Sequence, residues 1–135
     1  MAQSDYLSNK LLDHSFARAS YTMPGTVYVG LFTASPGDDD SGSGNELDAA
    51  DYARQVLTIE VAASRATSNS AEITWAVAAS DWAITPNGVS HWGVYDALTT
   101  GNLLWHGAFT IEKDVGTGDQ AKIAANDLDF SFTAS

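Results

Sequence analysis

The sequence predicts a mainly β fold: a small antiparallel β-sandwich or open barrel with one N-terminal amphipathic helix. Three observations carry this. Short runs rich in β-branched and aromatic residues recur, with turn signals between them. Helical spacing of apolar residues occurs once, in residues 4–19. The most apolar stretch, residues 90–110, is broken at Leu98-Thr-Thr-Gly-Asn, so it reads as two strands and a tight turn. An amphipathic helix and half-buried strands must cover one another's apolar surfaces, which leaves a layered β domain.

In the helix, Ser4 is the expected N-cap and Asp5 sits where the helix dipole favours an anion. Leu7, Leu11, Leu12 and Phe16 form one stripe, expected to pack on the domain or on a neighbouring subunit. Met23-Pro24-Gly25 ends this element. Residues 26–33, TVYVGLFT, are apolar on both faces, as in a central strand. Residues 35–51 then carry six carboxylates, three glycines and no basic residue, the composition of an acidic surface loop.

Residues 52–62 read as a strand with Leu57, Ile59 and Val61 on one face. Residues 64–70 read as a turn, and residues 71–78 as a strand with Ile73, Trp75 and Val77 inward. Residues 80–89, with Trp82, Pro86 and Asn87-Gly88, form a loop or short edge. In the hairpin, Trp92 and Val94 face one way and His91, Gly93 and Tyr95 the other, with Trp92, Leu104 and Trp105 expected in the core. Gly101 and Asn102 are the residue types that accept positive φ. Residues 111–119 read as a turn and 120–125 as a short strand. Residues 127–133 alternate, with Leu128, Phe130 and Phe132 inward.

A chain of 135 residues makes one β domain, 1–135, large enough to bury a core. Without cysteine it has no disulfide and no thiolate metal ligand. A net charge of −11 opposes binding to phosphate backbones, so no nucleic-acid partner is expected. No apolar run approaches a membrane-spanning length, and the N-terminus lacks the pattern of a secretory signal.

The sequence points away from catalysis. His91 and His106 lie on the two arms of the hairpin, and with Asp96 they are a candidate metal site or acid–base pair. Their spacing matches no ligand motif, and no nucleophile elbow, zinc-protease helix or phosphate-binding loop occurs. Read as a calcium loop from Asp39, the acidic segment offers Ser41, Ser43 and Gly44 but has Ala50 where the bidentate glutamate belongs. No catalytic residue, metal or cofactor is expected. Trp82, His91 and His106 remain as a candidate ligand-contact surface.

Several segments together resemble a known family. They are Tyr6-Leu7-x-Asn9-Lys10-Leu11-Leu12-Asp13-His14, residues 21–33 (YTMPGTVYVGLFT), Tyr52-Ala53-Arg54-Gln55, residues 90–96 (SHWGVYD) and residues 101–107 (GNLLWHG). In this order they are similar to the short virion structural proteins of tailed bacteriophages often called tail-fibre-like proteins. The acidic loop is longer here than in that pattern, and the segment around Trp82 is extended by Thr85-Pro86-Asn87-Gly88. The resemblance implies a non-enzymatic structural protein on the virion's outer surface, made in the host cytoplasm. It would touch other virion proteins, either the major capsid protein or tail proteins, as a homo-oligomer. A capsid decoration (cement) protein is the first expectation, because the chain has no repetitive shaft. The alternative is a tail-fibre or tail-tip component, including a receptor- or glycan-binding module. On either reading, Leu7, Leu11, Leu12 and Phe16 are the expected assembly interface.

Overall fold

The computed structural model describes residues 1–133; the last two residues of the expected 1–135 domain lie outside the described residues. The elements are β1 (Ala2–Gln3), α1 (Asp5–Ser15), β2 (Val27–Phe32), β3 (Gln55–Leu57), β4 (Ala66–Ser68), β5 (Ile73–Val77), β6 (Val89–Tyr95), β7 (Leu103–Lys113), β8 (Gln120–Ile123) and β9 (Asp129–Ser131). One five-stranded sheet has the order β1-β7-β6-β2-β3, and two small sheets pair β4 with β9 and β5 with β8. All pairings are antiparallel, and the sheets are not closed into a barrel.

The expected hairpin, β6–β7, and the expected central strand, β2, are the middle of the large sheet. Val29 faces Val94 and Leu31 faces Trp92, so one side of the sheet is a continuous apolar surface. Ile73 and Trp75 of β5, Ile123 of β8 and Phe130 of β9 close over it. Phe130 meets Trp92 and Trp105 edge-on at 5.4 and 5.7 Å, the geometry that aromatic quadrupoles favour. On the opposite side, Phe32, Tyr95 and Leu103 form a second, smaller cluster.

Several expectations are corrected. The helix ends at Ser15, not Ala19, because Ala17 takes a left-handed φ of 58° and the Arg18 and Ala19 amides both turn back to the Asp13 carbonyl. In residues 52–62 only β3 pairs with β2. The chain then leaves the sheet to bridge Asn69, which exposes Ile59 and Val61. Residues 66–68 form a strand, not a turn, and β7 runs into the expected turn as far as Lys113. Val77 is exposed where the β5–β8 register shifts, and Phe132 lies half-exposed against Trp105. In the hairpin turn the positive φ angles belong to Thr100 and Gly101, not Asn102, which is held by Asp96 instead. Trp105 is only partly buried: it packs against the core from the side and meets the half-exposed Phe132.

Candidate functional site

The assembly stripe on α1 divides. Ser4 caps the helix as expected, its Oγ accepting from the Leu7 amide and donating to the Leu103 carbonyl, while its own amide donates to Leu104. This pins the first turn to β7, and Leu7 is buried there. Leu11 is partly buried, and Leu12 and Phe16 stand 56% and 79% exposed. A helix anchored at one end therefore presents two large apolar side chains to its surroundings.

The acidic loop, expected to stand free in solvent, is in part folded onto the sheet. Residues 45–47 run beside β2: Thr33 donates to the Asn45 carbonyl and Leu47 donates to the Leu31 carbonyl. Glu46 is thereby delivered over Gly30, and its carboxylate takes Arg54 in two hydrogen bonds of 2.8 and 2.7 Å. Paired forks of this kind fix geometry as well as charge. Arg54 also donates to the carbonyls of Ala97 and Thr100 in the hairpin turn, and its guanidinium lies over the Tyr95 ring. Burial alone would lower the affinity of Arg54 for its proton; Glu46 more than offsets this.

Two tyrosines complete the cluster. Tyr52 donates to Glu46 and accepts from the Leu31 amide, and Tyr95 donates to Asp40 at 2.6 Å. Burial, and then the neighbouring carboxylates, push both phenols well above their ordinary range. The charged atoms of Arg54 and Glu46 all face structural partners, so the cluster clamps loop, sheet and turn together. The sequence signal was Arg54 itself, one of six basic residues, inside the Tyr-Ala-Arg-Gln segment.

The candidate ligand surface does not assemble. Trp82 is buried beside Tyr52, and its Nε1 donates to Asp51 at 2.8 Å. Asp51 also accepts from the Ala79 amide; that bond first, then Trp82, holds its carboxyl below the usual carboxylate range. Trp82 thus packs as a core residue and offers no sugar-stacking face. His91 and His106 do share a face of the hairpin, offset by two residues, since Gly93 lies opposite His106. They bond elsewhere: His106 Nε2 lies 2.7 Å from Asp38, and His91 Nδ1 lies 2.8 Å from the Ser90 hydroxyl. Burial, and then proximity to His106, hold the His91 pKa below its ordinary value. Asp96 is committed to Asn102, so it does not join them.

Among the described residues no group of three or more histidine, aspartate or glutamate side chains has the arrangement of a metal site. No helix among the described residues is long and apolar enough to cross a membrane. Against known proteins, the family model described as podophage GP4 fiber I protein gp80 matches residues 2–131. No curated protein matches the chain.

Proposed function

We propose that this chain, which belongs to the podophage GP4 fiber I protein gp80 family, is a fibre building block of the phage particle and has no catalytic role. It is a bacteriophage structural protein. The observation that carries the fibre reading is the family match across 130 of 135 residues, from 2 to 131. The capsid decoration expectation has no comparable support, and the fibre takes its place as the preferred reading. The surrounding chemistry agrees with a structural role, since Arg54, Glu46, Asp38 and His106 all serve contacts within the fold.

In this reading the protein sits on the outer surface of the particle, where its charge of −11 keeps it soluble. Leu12 and Phe16 are the surface it shares with neighbouring virion subunits. Gold-labelled antibody on intact particles, with mass spectrometry of heads and tails separated from each other, tests the placement. The protein is expected in the tail fraction, with label on the appendages. Recovery with the heads alone would restore the decoration reading, and absence from both fractions would end both.

A further inference from the structure

Two histidines of the hairpin stand at opposite corners of a square, on the side of the large sheet away from the main core. His91 lies opposite Ala108, and Gly93 lies opposite His106. Diagonal neighbours of this kind are about 7–8 Å apart in the backbone, within reach of long side chains. The other two corners, Gly93 and Ala108, add no more than a methyl group between the rings. Phe32, Tyr95 and Leu103 close in over Gly93, while Ala108 is exposed. The square is therefore walled by apolar groups on one side and open to solvent on the other. After burial, the nearness of His106 is what disfavours a proton on His91, as two rings close together require.

Hydrogen bonds fix which nitrogen of each ring carries the proton. The Asp38 carboxylate only accepts, so His106 Nε2, 2.7 Å away, is the donor, and Nδ1 of the neutral ring holds the lone pair. Ser90 donates its one hydroxyl proton to the Thr33 carbonyl at 2.9 Å. Its oxygen then accepts from His91 Nδ1 at 2.8 Å, which leaves the lone pair on His91 Nε2. Neither lone-pair nitrogen has a hydrogen-bond partner among the described residues. Metal-ligating histidines are held in the same way, by donating the far N–H to a carboxylate or another fixed acceptor.

We propose that His91 Nε2 and His106 Nδ1 together bind one divalent transition-metal ion of the zinc class, with water in the remaining positions. Neutral imidazole suits zinc, copper and nickel, whereas calcium and magnesium take oxygen ligands. Asp38 and Ser90 do not touch the ion; they orient the two rings. Carboxylates on the same face favour a cation, since Asp38 pairs with His106 and Asp40 bonds to Tyr95. Two ligands from the chain make an open, exchangeable site, unlike the four-ligand centres that hold a fold together. The ion ties β6 to β7 through a ring that the acidic loop also grips. The site stands on these contacts alone and does not depend on the fibre reading.

The test titrates zinc chloride into the metal-free full chain, labelled with nitrogen-15, and follows the histidine ring nitrogens by NMR. Before zinc, His106 should show its proton on Nε2 and His91 on Nδ1. Zinc should then shift His91 Nε2 and His106 Nδ1 together and saturably. Exposed His14, whose Nδ1 accepts from the Tyr21 amide, should move far less and serves as the internal reference. Calorimetry of variants gives the second readout. Asp38→Asn removes the charge behind His106 and should weaken zinc binding roughly ten- to a hundredfold. His91→Gln and His106→Gln should each weaken it at least as much, and His14→Gln should leave it unchanged. The absence of saturable shifts would overturn the proposal, as would protons found on the opposite nitrogens. Zinc that moves His14 as much as the pair, or binds both glutamine variants undiminished, would overturn it as adventitious surface ligation. The wild-type spectra decide the matter even where a variant fails to fold.

Discussion

Gly30 lies directly opposite Gly93, on β2 and β6, in the middle of the large sheet. The two missing side chains open a shallow bay on the face away from the main core. Into it come Glu46 from the acidic loop and the rings of Phe32 and Tyr95. A Cβ on Gly30 would sit 2.5 Å from a Glu46 carboxylate oxygen, and one on Gly93 would sit 3.0–3.2 Å from Tyr95, Phe32 and Leu103. The Glu46 oxygen cannot withdraw without releasing Arg54 and Tyr52. Gly30→Ala is therefore expected to cost about 1–3 kcal/mol by overpacking, and more than Gly93→Ala. Urea midpoints of the two variants provide the comparison; a larger loss for Gly93→Ala would show that the clamp is not what fills the bay.

Arg54 is the residue on which loop, sheet and turn converge. Its side chain is 6% exposed, so removing it strands Glu46 as a buried charge without its partner. Arg54→Ala should lose about 3–5 kcal/mol of stability. Arg54→Lys should recover only a minor part, because a lysine can neither bond both Glu46 oxygens in a planar fork nor stack in the same way on Tyr95. Chemical denaturation of the three proteins checks this, and full recovery by lysine would reduce the clamp to simple charge pairing.

The pH dependence has two sides. Asp51 has a folded pKa below its ordinary 3.8, so its stabilising contribution is complete above that value and disappears as pH falls through the lower, folded one. Tyr52 and Tyr95 have folded pKa values raised above 10.0. Above pH 10 the unfolded chain loses these phenol protons while the folded chain keeps them, so stability should fall as pH rises beyond about 10. Thermal melts across the range should show a plateau between these limits. Tyr52→Phe should soften the alkaline decline; an unchanged alkaline limb would exclude that phenol as its source.

The tryptophans separate by burial. Trp75 is 1% exposed in the main core, and Trp75→Ala should cost roughly 3–5 kcal/mol. Trp105 is only partly buried, and Trp105→Ala should cost about half as much. Equal losses in denaturation experiments would mean that the edge of β7 is covered in solution.

The strands at the centre of the large sheet, β2 and β6, and β9 in its small sheet were legible because their residues are apolar on both faces or alternate without interruption. Ile59, Val61 and Val77 were misplaced for a common reason. Alternation records which side chains could share a face, but not where a neighbouring strand stops. The acidic loop was misread as wholly free because composition averages over residues. Pro36 and Leu47 are buried and Glu46 has a partner, while Asp38 and Asp39 do face solvent. Arg54 could have been suspected as a solitary cation near six carboxylates, but its contacts with Ala97 and Thr100 span more than forty residues and no local pattern encodes them. Trp82 illustrates the limit for sites: one aromatic in a polar loop reads alike whether it faces sugar or core.

The helix face gives a fifth comparison. Leu12→Ser and Phe16→Ser alter exposed positions and should change stability by no more than about 0.5 kcal/mol each. If this face joins neighbouring subunits, the double variant should enter particles poorly while folding normally. Quantifying the protein in purified particles against a wild-type control decides it. Normal incorporation would remove Leu12 and Phe16 from the assembly surface. Deleting residues 1–20 is a poorer experiment, because it also removes the buried Ser4 and Leu7 from β7.

The anchorage of Ser4 bears on how the molecule transmits force. The helix enters the body through Ser4 and Leu7, and β1 lies along the same strand just ahead of it. A pull applied through α1 therefore arrives at residues 103–106 of β7, the strand zipped along β6 at the middle of the sheet. Tension is shared among several bonds of the large sheet and does not peel a peripheral loop. An appendage subunit gripped by its helix would bear traction there without first losing its outer segments.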